Sequence, residues 1–300
     1  MEYRTLGKTS LQVSRIGLGL FQIGKLPAGS DPQVSQLLNT ALDTGINFFD
    51  TATGYDDSEE RIGRAVAHRR GEYILATKCG LITEAEPWTA ETIDRHIDRS
   101  LKRLRTDYLD LIQLHSCDAE VLERGEVTEA LLRARDAGKT RFVGYSGDNQ
   151  AAQWAIDSGL FDALETSFNL VDQRARTTLF SRARQMGMGV IVKRTIANGA
   201  WGAKPGTPNP SSQFASNLER SQKMDALGAI LGAPADPVLL ALGFTMAHDG
   251  FDVALIGTTK TEHLLSNLAL FETKLPIPQV AVQELYRRFD TIGGDWEQLP

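Results

Sequence analysis

The sequence predicts an α/β fold, a closed (β/α)8 barrel of parallel strands covered by helices, and three observations predict it. Short apolar runs of strand length alternate with helix-period stretches about eight times along the chain, a rhythm that builds a parallel sheet. Three hundred residues would allow two domains, but one α/β barrel commonly takes roughly this length, so residues 1–300 are read as a single domain. No internal repeat or low-complexity segment breaks the rhythm.

Residues 3–14 open the chain as a hairpin: Arg4 to Leu6, a turn at Gly7-Lys-Thr-Ser10, then Leu11 to Ser14. Arg15 to Leu20 is the first barrel strand. Asp31-Pro32 opens a helix as a cap followed by a proline suited to the first turn, and Thr44-Gly45 closes it. The second strand is the run Ile46, Phe48, Phe49, which stops at Asp50, and Ser58 caps a helix through Ala67. Tyr73 to Lys78 is strand three. Thr89 starts a helix whose Ile93, Ile97, Leu101 and Leu104 form one apolar stripe facing a sheet. Leu109 to His115 is strand four, Val127 to Ala137 a helix closed by Gly138, and Thr140 to Ser146 strand five. A helix near Gln150 to Ser158, strand six at Ala163 to Phe168, a helix from Thr177 to Met186 and strand seven at Gly189 to Lys193 follow.

Ala197 to Ser216 interrupts this order with Gly199, Gly202, Pro205, Gly206, Pro208 and Pro210, an irregular segment of the sort that is usually functional or disordered. Helices from about Asn217 to Leu231 and from Pro237 to Ala247 precede strand eight, Val253 to Ile256. The next helix is capped by Thr259 with Glu262 in capping-box position. Val280 to Phe289 reads as a last helix, and the tail through Trp296 is placed over the barrel mouth.

A hydrophobic fraction of 42% and a charged fraction of 23% supply a core and a solvated surface. The net charge of −6 argues against nucleic acid or an anionic membrane as the main partner. The start, Met-Glu-Tyr-Arg, has no leader-like apolar stretch, and no run approaches the roughly 18 apolar residues that a membrane helix needs. A cytoplasmic protein is expected. Cys79 and Cys117 cannot make a disulfide framework and are expected to be reduced.

Three strand ends carry the chemistry. Asp50 ends an apolar run, where an unpaired carboxylate would be costly to bury, so it calls for a cation. Lys78 ends strand three and His115 strand four, while Tyr55 follows Asp50 on the loop. If these strands are parallel neighbours, the four side chains converge at the carboxyl ends, where such a barrel keeps its chemistry. Asp50 with Tyr55, Lys78 after Ala-Thr, and His115 after Asp-Leu-Ile-Gln-Leu resemble the catalytic tetrad of the aldo-keto reductases, NAD(P)H-dependent carbonyl reductases built on a TIM barrel. The resemblance runs from Tyr3-Arg-Thr-Leu-Gly-Lys-Thr to Ile256-Gly-Thr-Thr. It implies that the hairpin of residues 3–14 plugs the amino end of the barrel.

In that reading Tyr55 is the proton donor to a small-molecule carbonyl substrate. A free phenol has a pKa of about 10, so it needs a cation close by to favour its ionised form. Lys78 supplies that charge, Asp50 holds the ammonium, and His115 hydrogen-bonds the substrate oxygen. Ser146, after Gly144-Tyr145, matches a family serine that contacts the nicotinamide carboxamide, and its usual asparagine neighbour is Gly147 here. Glu165 stands where the family commonly has glutamine; it can accept from the amide NH2 but not donate. Lys193, where many relatives place a stacking tyrosine, puts a cation near the cofactor, and Arg194 reaches the pyrophosphate.

No G-x-G-x-x-G follows a strand, so a Rossmann domain is not expected. The phosphates would meet the long loop and the free amino end of the helix after Thr258, whose N–H groups favour anions. Gly257, Thr258, Lys260, His263 and Asn267 are the candidate contacts there. Relatives that select the 2′-phosphate often carry Lys-Ser at the start of this helix and an Arg a few residues on, against Gly257-Thr258 and His263 here. Thr258 keeps a hydrogen bond, Lys260 a charge, and His263 an attraction only when protonated. NADP(H) is therefore expected over NAD(H), by a reduced margin.

Two rival readings stand beside this one. Cys79, His115 and Cys117 with Asp50 offer soft ligands for a metal-dependent barrel enzyme, without paired Cys-x-x-Cys or His-x-His spacing to support it. A cofactor-binding regulatory subunit of another protein is the third reading, and an intact tetrad argues against lost catalysis.

Overall fold

Eight parallel strands close on themselves in the computed structural model, which describes residues 1–80, 87–209 and 211–299. The chain begins with an antiparallel pair, β1 (Tyr3–Thr5) and β2 (Gln12–Ser14). The barrel then runs β3 (Ile16–Gly19), β4 (Phe48–Asp50), β5 (Ile74–Cys79), β6 (Leu109–His115), β7 (Thr140–Ser146), β8 (Ala163–Ser167), β9 (Gly189–Lys193) and β10 (Val253–Ile256), and β10 pairs back onto β3. Around it lie α1 (Phe21–Gly24), α2 (Asp31–Asp43), α3 (Ser58–Val66), α4 (Ala90–Leu104), α5 (Ala119–Glu123), α6 (Glu126–Asp136) and α7 (Asn149–Ser158). The second half adds α8 (Arg174–Thr178), α9 (Phe180–Gln185), α10 (Phe214–Asp225), α11 (Pro237–Met246), α12 (Thr261–Lys274) and α13 (Gln279–Ile292).

Side chains alternate across a strand, and here the two sets go to two different cores. Phe48, Ala76, Leu111, Ala163, Ile191, Val253 and Leu255 fill the barrel interior together with Leu6, Leu11 and Val13 of the hairpin. Phe49, Leu75, Ile112, Leu164, Val190, Val192 and Ala254 face the helices instead. The hairpin thus plugs the barrel, and it does so at the amino end: the Gly7 backbone lies against Met188 and Gly189, where β9 begins.

The helix ends depart from the sequence reading in small ways. Thr89 caps α4, its hydroxyl accepting from Thr92 N at 3.3 Å. Ser58 is instead the first residue of α3, and its hydroxyl donates to Leu20 O at 2.8 Å. The capping box of Thr259 and Glu262 does not form, because Thr258 Oγ1 accepts from Lys260 N and α12 begins at Thr261. The single helix expected over Thr177 to Met186 is two short ones that meet at Leu179. The helix expected over Asn217 to Leu231 runs over Phe214–Asp225. Pro210, counted in the irregular segment, lies outside the described residues. Among the described residues no helix is long and apolar enough to cross a membrane.

The part of the tail that reaches the mouth lies just beyond Trp296. Gln298 Nε2 donates to Asp148 Oδ1, Thr166 Oγ1 and Ser167 O at 2.9–3.1 Å, and Leu299 N to Asp172 Oδ2 at 3.1 Å. Thr166 and Ser167 end β8 and Asp148 follows β7, so Gln298 and Leu299 sit on the carboxyl rim.

Candidate active site

The period of two that sends Phe48, Ala76, Leu111, Ala163 and Ile191 inward also sends Asp50, Lys78, Gln113, Glu165 and Lys193 inward one layer nearer the carboxyl rim, and His115 one layer beyond Gln113. Lys78 is fully buried, with its Nζ 2.6 and 2.5 Å from the two Asp50 oxygens, 3.1 Å from Thr51 O and 3.2 Å from Glu165 Oε2. Gln113 Nε2 donates to the same Glu165 oxygen at 2.9 Å. One ammonium therefore serves two buried carboxylates.

Tyr55 lies on the loop after β4, held by backbone bonds to Ala52 O at 3.1 Å and from Ser58 N at 2.9 Å. Its ring stands edge-on to His115 at 5.5 Å and to Phe21 at 5.0 Å, and Lys78 Nζ is 5.3 Å from its centroid. Gly24 makes this placement available, since a Cβ there would come within 2.1 Å of Tyr55 O.

Burial and charge set the protonation states. Burial works against the Lys78 ammonium, but Asp50 and Glu165 outweigh it and hold it charged. For Asp50, burial and the Glu165 charge push the carboxyl up, with Lys78 opposing. For Glu165, burial is outweighed by Lys78, Lys193 and the Gln113 amide, which draw the carboxyl down to about 2. The shorter contact to Lys78 belongs to Asp50, yet the charge settles on Glu165, which has two cations and an amide to answer its burial. Where the sequence predicts a phenol brought down by its lysine, Tyr55 is raised to about 12: Lys78 does pull, but burial is the larger effect and Asp50 and Glu165 side with it. His115 is lowered to about 3, by burial first and then by Lys78 and Lys193, and is neutral. Its Nδ1 has no partner among the described residues.

Across the sheet Ser146 is in register with His115 on one side and Glu165 on the other. Its Oγ is buried and has no partner among the described residues. Gly147 explains the departure from asparagine, because a Cβ there would come within 2.3 Å of the Tyr145 hydroxyl, which donates to Cys117 O at 2.7 Å. Lys193 Nζ is 3.5 Å from Asp148 Oδ2. Arg194, at φ +60, donates to Ser167 Oγ at 2.9 Å and to the Leu299 carbonyl. Gly257, Thr258, Lys260, His263 and Asn267 form a separate group at the start of α12, with Thr258 buried and Lys260 and His263 exposed.

Gln113, Phe21 and Asp148 were not among the residues read from the sequence. Gln113 was within reach of that reading, being two positions before His115 on the same strand face. The metal reading fails on geometry: Cys79 follows inward-facing Lys78 and so faces the helix layer, as does Cys117. Burial pushes both thiols up, away from the thiolate that ligation needs. Among the described residues no His, Cys, Asp and Glu group is arranged to hold a metal. A basic groove of about 330 Å3, lined by Arg64, Arg99, Lys102, Arg103, Arg105 and Glu60, lies between α3 and α4 on the helix layer rather than among these strand ends.

A family model described as the aldo/keto reductase family matches residues 15–285. Among known proteins, the chain is 30% identical to an L-galactose dehydrogenase of Arabidopsis thaliana, over 100% of this chain and 92% of that one. It is 28% identical to a 6-dehydroglucose reductase of Novosphingobium aromaticivorans, over 87% and 88%. An aldo-keto reductase of Bacillus halodurans in its holo form superposes with a TM-score of 0.78 over 96% of each chain at 23% identity, a likeness of fold. With a closed eight-stranded barrel and a family match over most of its length, the chain belongs to the aldo/keto reductase family of oxidoreductases, which reduce with a nicotinamide cofactor.

Proposed function

We propose that this protein reduces aldehydes or ketones to alcohols with NADPH, and that Tyr55 gives the proton. The observation that carries the reading is the buried Lys78–Asp50 pair set beside the edge-on rings of Tyr55 and His115. When bound, the nicotinamide supplies the hydride to the carbonyl carbon. Tyr55, kept protonated by burial, delivers its proton to the carbonyl oxygen. Lys78 stabilises the tyrosinate left behind, and Asp50 keeps the ammonium in place. His115, being neutral, donates a hydrogen bond to the same oxygen and does not compete as an acid.

The residues at the rim fit the cofactor. Ser146 Oγ is a buried group with hydrogen-bonding capacity to spare, suited to the carboxamide. Glu165 accepts from the amide NH2. Lys193 and Arg194 offer cations for the pyrophosphate, and Thr258, Lys260 and His263, with Gly257 and Asn267, offer contacts for the 2′-phosphate end. NADPH is preferred over NADH, by the margin that Lys260 and His263 supply.

The two relatives above are named for L-galactose and 6-dehydroglucose, so the test begins with sugars and extends to simple aldehydes and ketones. Absorbance of NADPH is followed as it is consumed. Turnover of at least one carbonyl supports the reading; cofactor binding with no turnover across the panel overturns it in favour of a regulatory subunit.

A further inference from the structure

The Lys78 ammonium has two carboxylate partners where one would hold it, and the second, Glu165, stands where the family commonly has an uncharged amide. Both partners are buried, Asp50 at 3% and Glu165 at 2% exposure. Lys193 and Arg194, two further cations nearby, both lie against Asp148, at 3.5 and 3.9 Å, and His115 is neutral. The negative charge of the Asp50–Glu165 pair settles on Glu165, drawn there by Lys78 and Lys193, whereas an amide at 165 would leave it on Asp50; what Glu165 changes is where in the layer that charge stands.

That charge is not at an arbitrary place. Glu165 is paired in the sheet with Ser146, the proposed carboxamide anchor, and Ser146 in turn with His115. One oxygen of the carboxylate is held by both Lys78 Nζ and Gln113 Nε2. These two contacts, with near-complete burial, hold the carboxylate in the row over which the ring would bind. An oxidised nicotinamide ring carries a positive charge and a reduced one does not, so a fixed buried carboxylate beside it acts on one form only.

We propose that Glu165 makes this site hold oxidised cofactor more tightly than a glutamine would, relative to reduced cofactor, and so tilts the bound pair toward alcohol oxidation. The inference rests on the nicotinamide reading above. Glu165 acts through its charge beside the ring and its contact with the carboxamide, and takes no proton from substrate. The same charge acts on Tyr55: with Asp50 it raises the phenol, which makes the tyrosinate a stronger base, the form that removes the alcohol proton in the oxidising direction.

The test is fluorescence titration of NADP+ and NADPH onto wild type, Glu165→Gln and Glu165→Asp, above neutral pH, without substrate. In Glu165→Gln the ratio of NADP+ to NADPH dissociation constants is expected to rise at least about fivefold, the water-screened scale of a unit charge about 4 Å away. Glu165→Asp, which keeps the charge but withdraws it by one methylene, falls between, and carries the test if the glutamine variant does not fold. A ratio unchanged in both variants, with wild type binding both cofactors, overturns the inference and leaves the nicotinamide reading intact. Wild type that binds neither form overturns both.

Discussion

Replacing Lys78 by methionine keeps the length of the stem and removes the ammonium, so it isolates what that charge does. Two carboxyls, Asp50 and Glu165, would lose a cation now 2.5 and 3.2 Å from their oxygens. Removing one partner of a buried ion pair costs about 3–5 kcal/mol, because the group left behind stays buried without its counter-charge. Lys193 remains near Glu165 and softens the loss. The variant relieves the rest by protonation, and the sign of the pH dependence follows. Glu165 loses the cation that depresses it and Asp50, already raised in wild type, loses the cation that opposes that rise, so both titrate above their unfolded values of about 4, and their contribution is complete below that pH and lost as pH rises through the raised values. In wild type, Glu165 is depressed to about 2 and its contribution is lost only as pH falls through that range. Wild type and variant should therefore be close in stability in mild acid and diverge toward alkaline pH. Denaturant unfolding at both ends of this range measures the gap. Activity falls as well, by roughly 10²–10³ in kcat for a lost electrostatic stabiliser, with the phenol-dependent limb of the rate profile moved up in pH. A stability gap of the same size at both pH values refutes the reasoning, as does a full rate with an unshifted profile.

Tyr55→Phe should abolish carbonyl reduction while NADPH still binds, because the phenol gives its proton only in the reaction; equal turnover would remove Tyr55 from the mechanism. Gly147→Ala should destabilise by about 1–3 kcal/mol, since its Cβ meets the Tyr145 ring, and an unchanged melting temperature would show that the ring can move aside. Lys260→Ala and His263→Ala should each weaken NADPH by up to about fivefold, the scale of an exposed ion pair, and leave NADH unchanged. Equal losses for both cofactors in titration would show that these side chains do not read the 2′-phosphate.

The barrel was legible because each strand writes its two faces into the sequence. Phe48 beside Phe49, or Ile191 between Val190 and Val192, reads as a strand buried on both sides, and the helices between them carry their stripes. Asp50, Lys78 and His115 were legible for the same reason, as polar residues at the ends of such runs. What the sequence could not show is how groups distant in it share one charge. Glu165 lies 87 residues beyond Lys78, and nothing local to either says that one ammonium would answer two carboxylates. The outcome for Tyr55 was hidden likewise: its lysine was visible, and the degree of enclosure that overrides it was not. Helix ends were misread where a neighbouring hydroxyl won a local contest, as Thr258 did over Thr259.

Four of the site's side chains stand two positions above a residue that fills the barrel floor: Asp50 over Phe48, Lys78 over Ala76, Glu165 over Ala163, Lys193 over Ile191. The spacing makes the chemistry tolerant of exchange and intolerant of frame. A single residue lost or gained between floor and rim turns the reactive group out among the helices. A strand of this barrel can therefore diverge freely in letter while being held to its count, and new activities would come from replacing a rung, as at residue 165, never from lengthening the ladder.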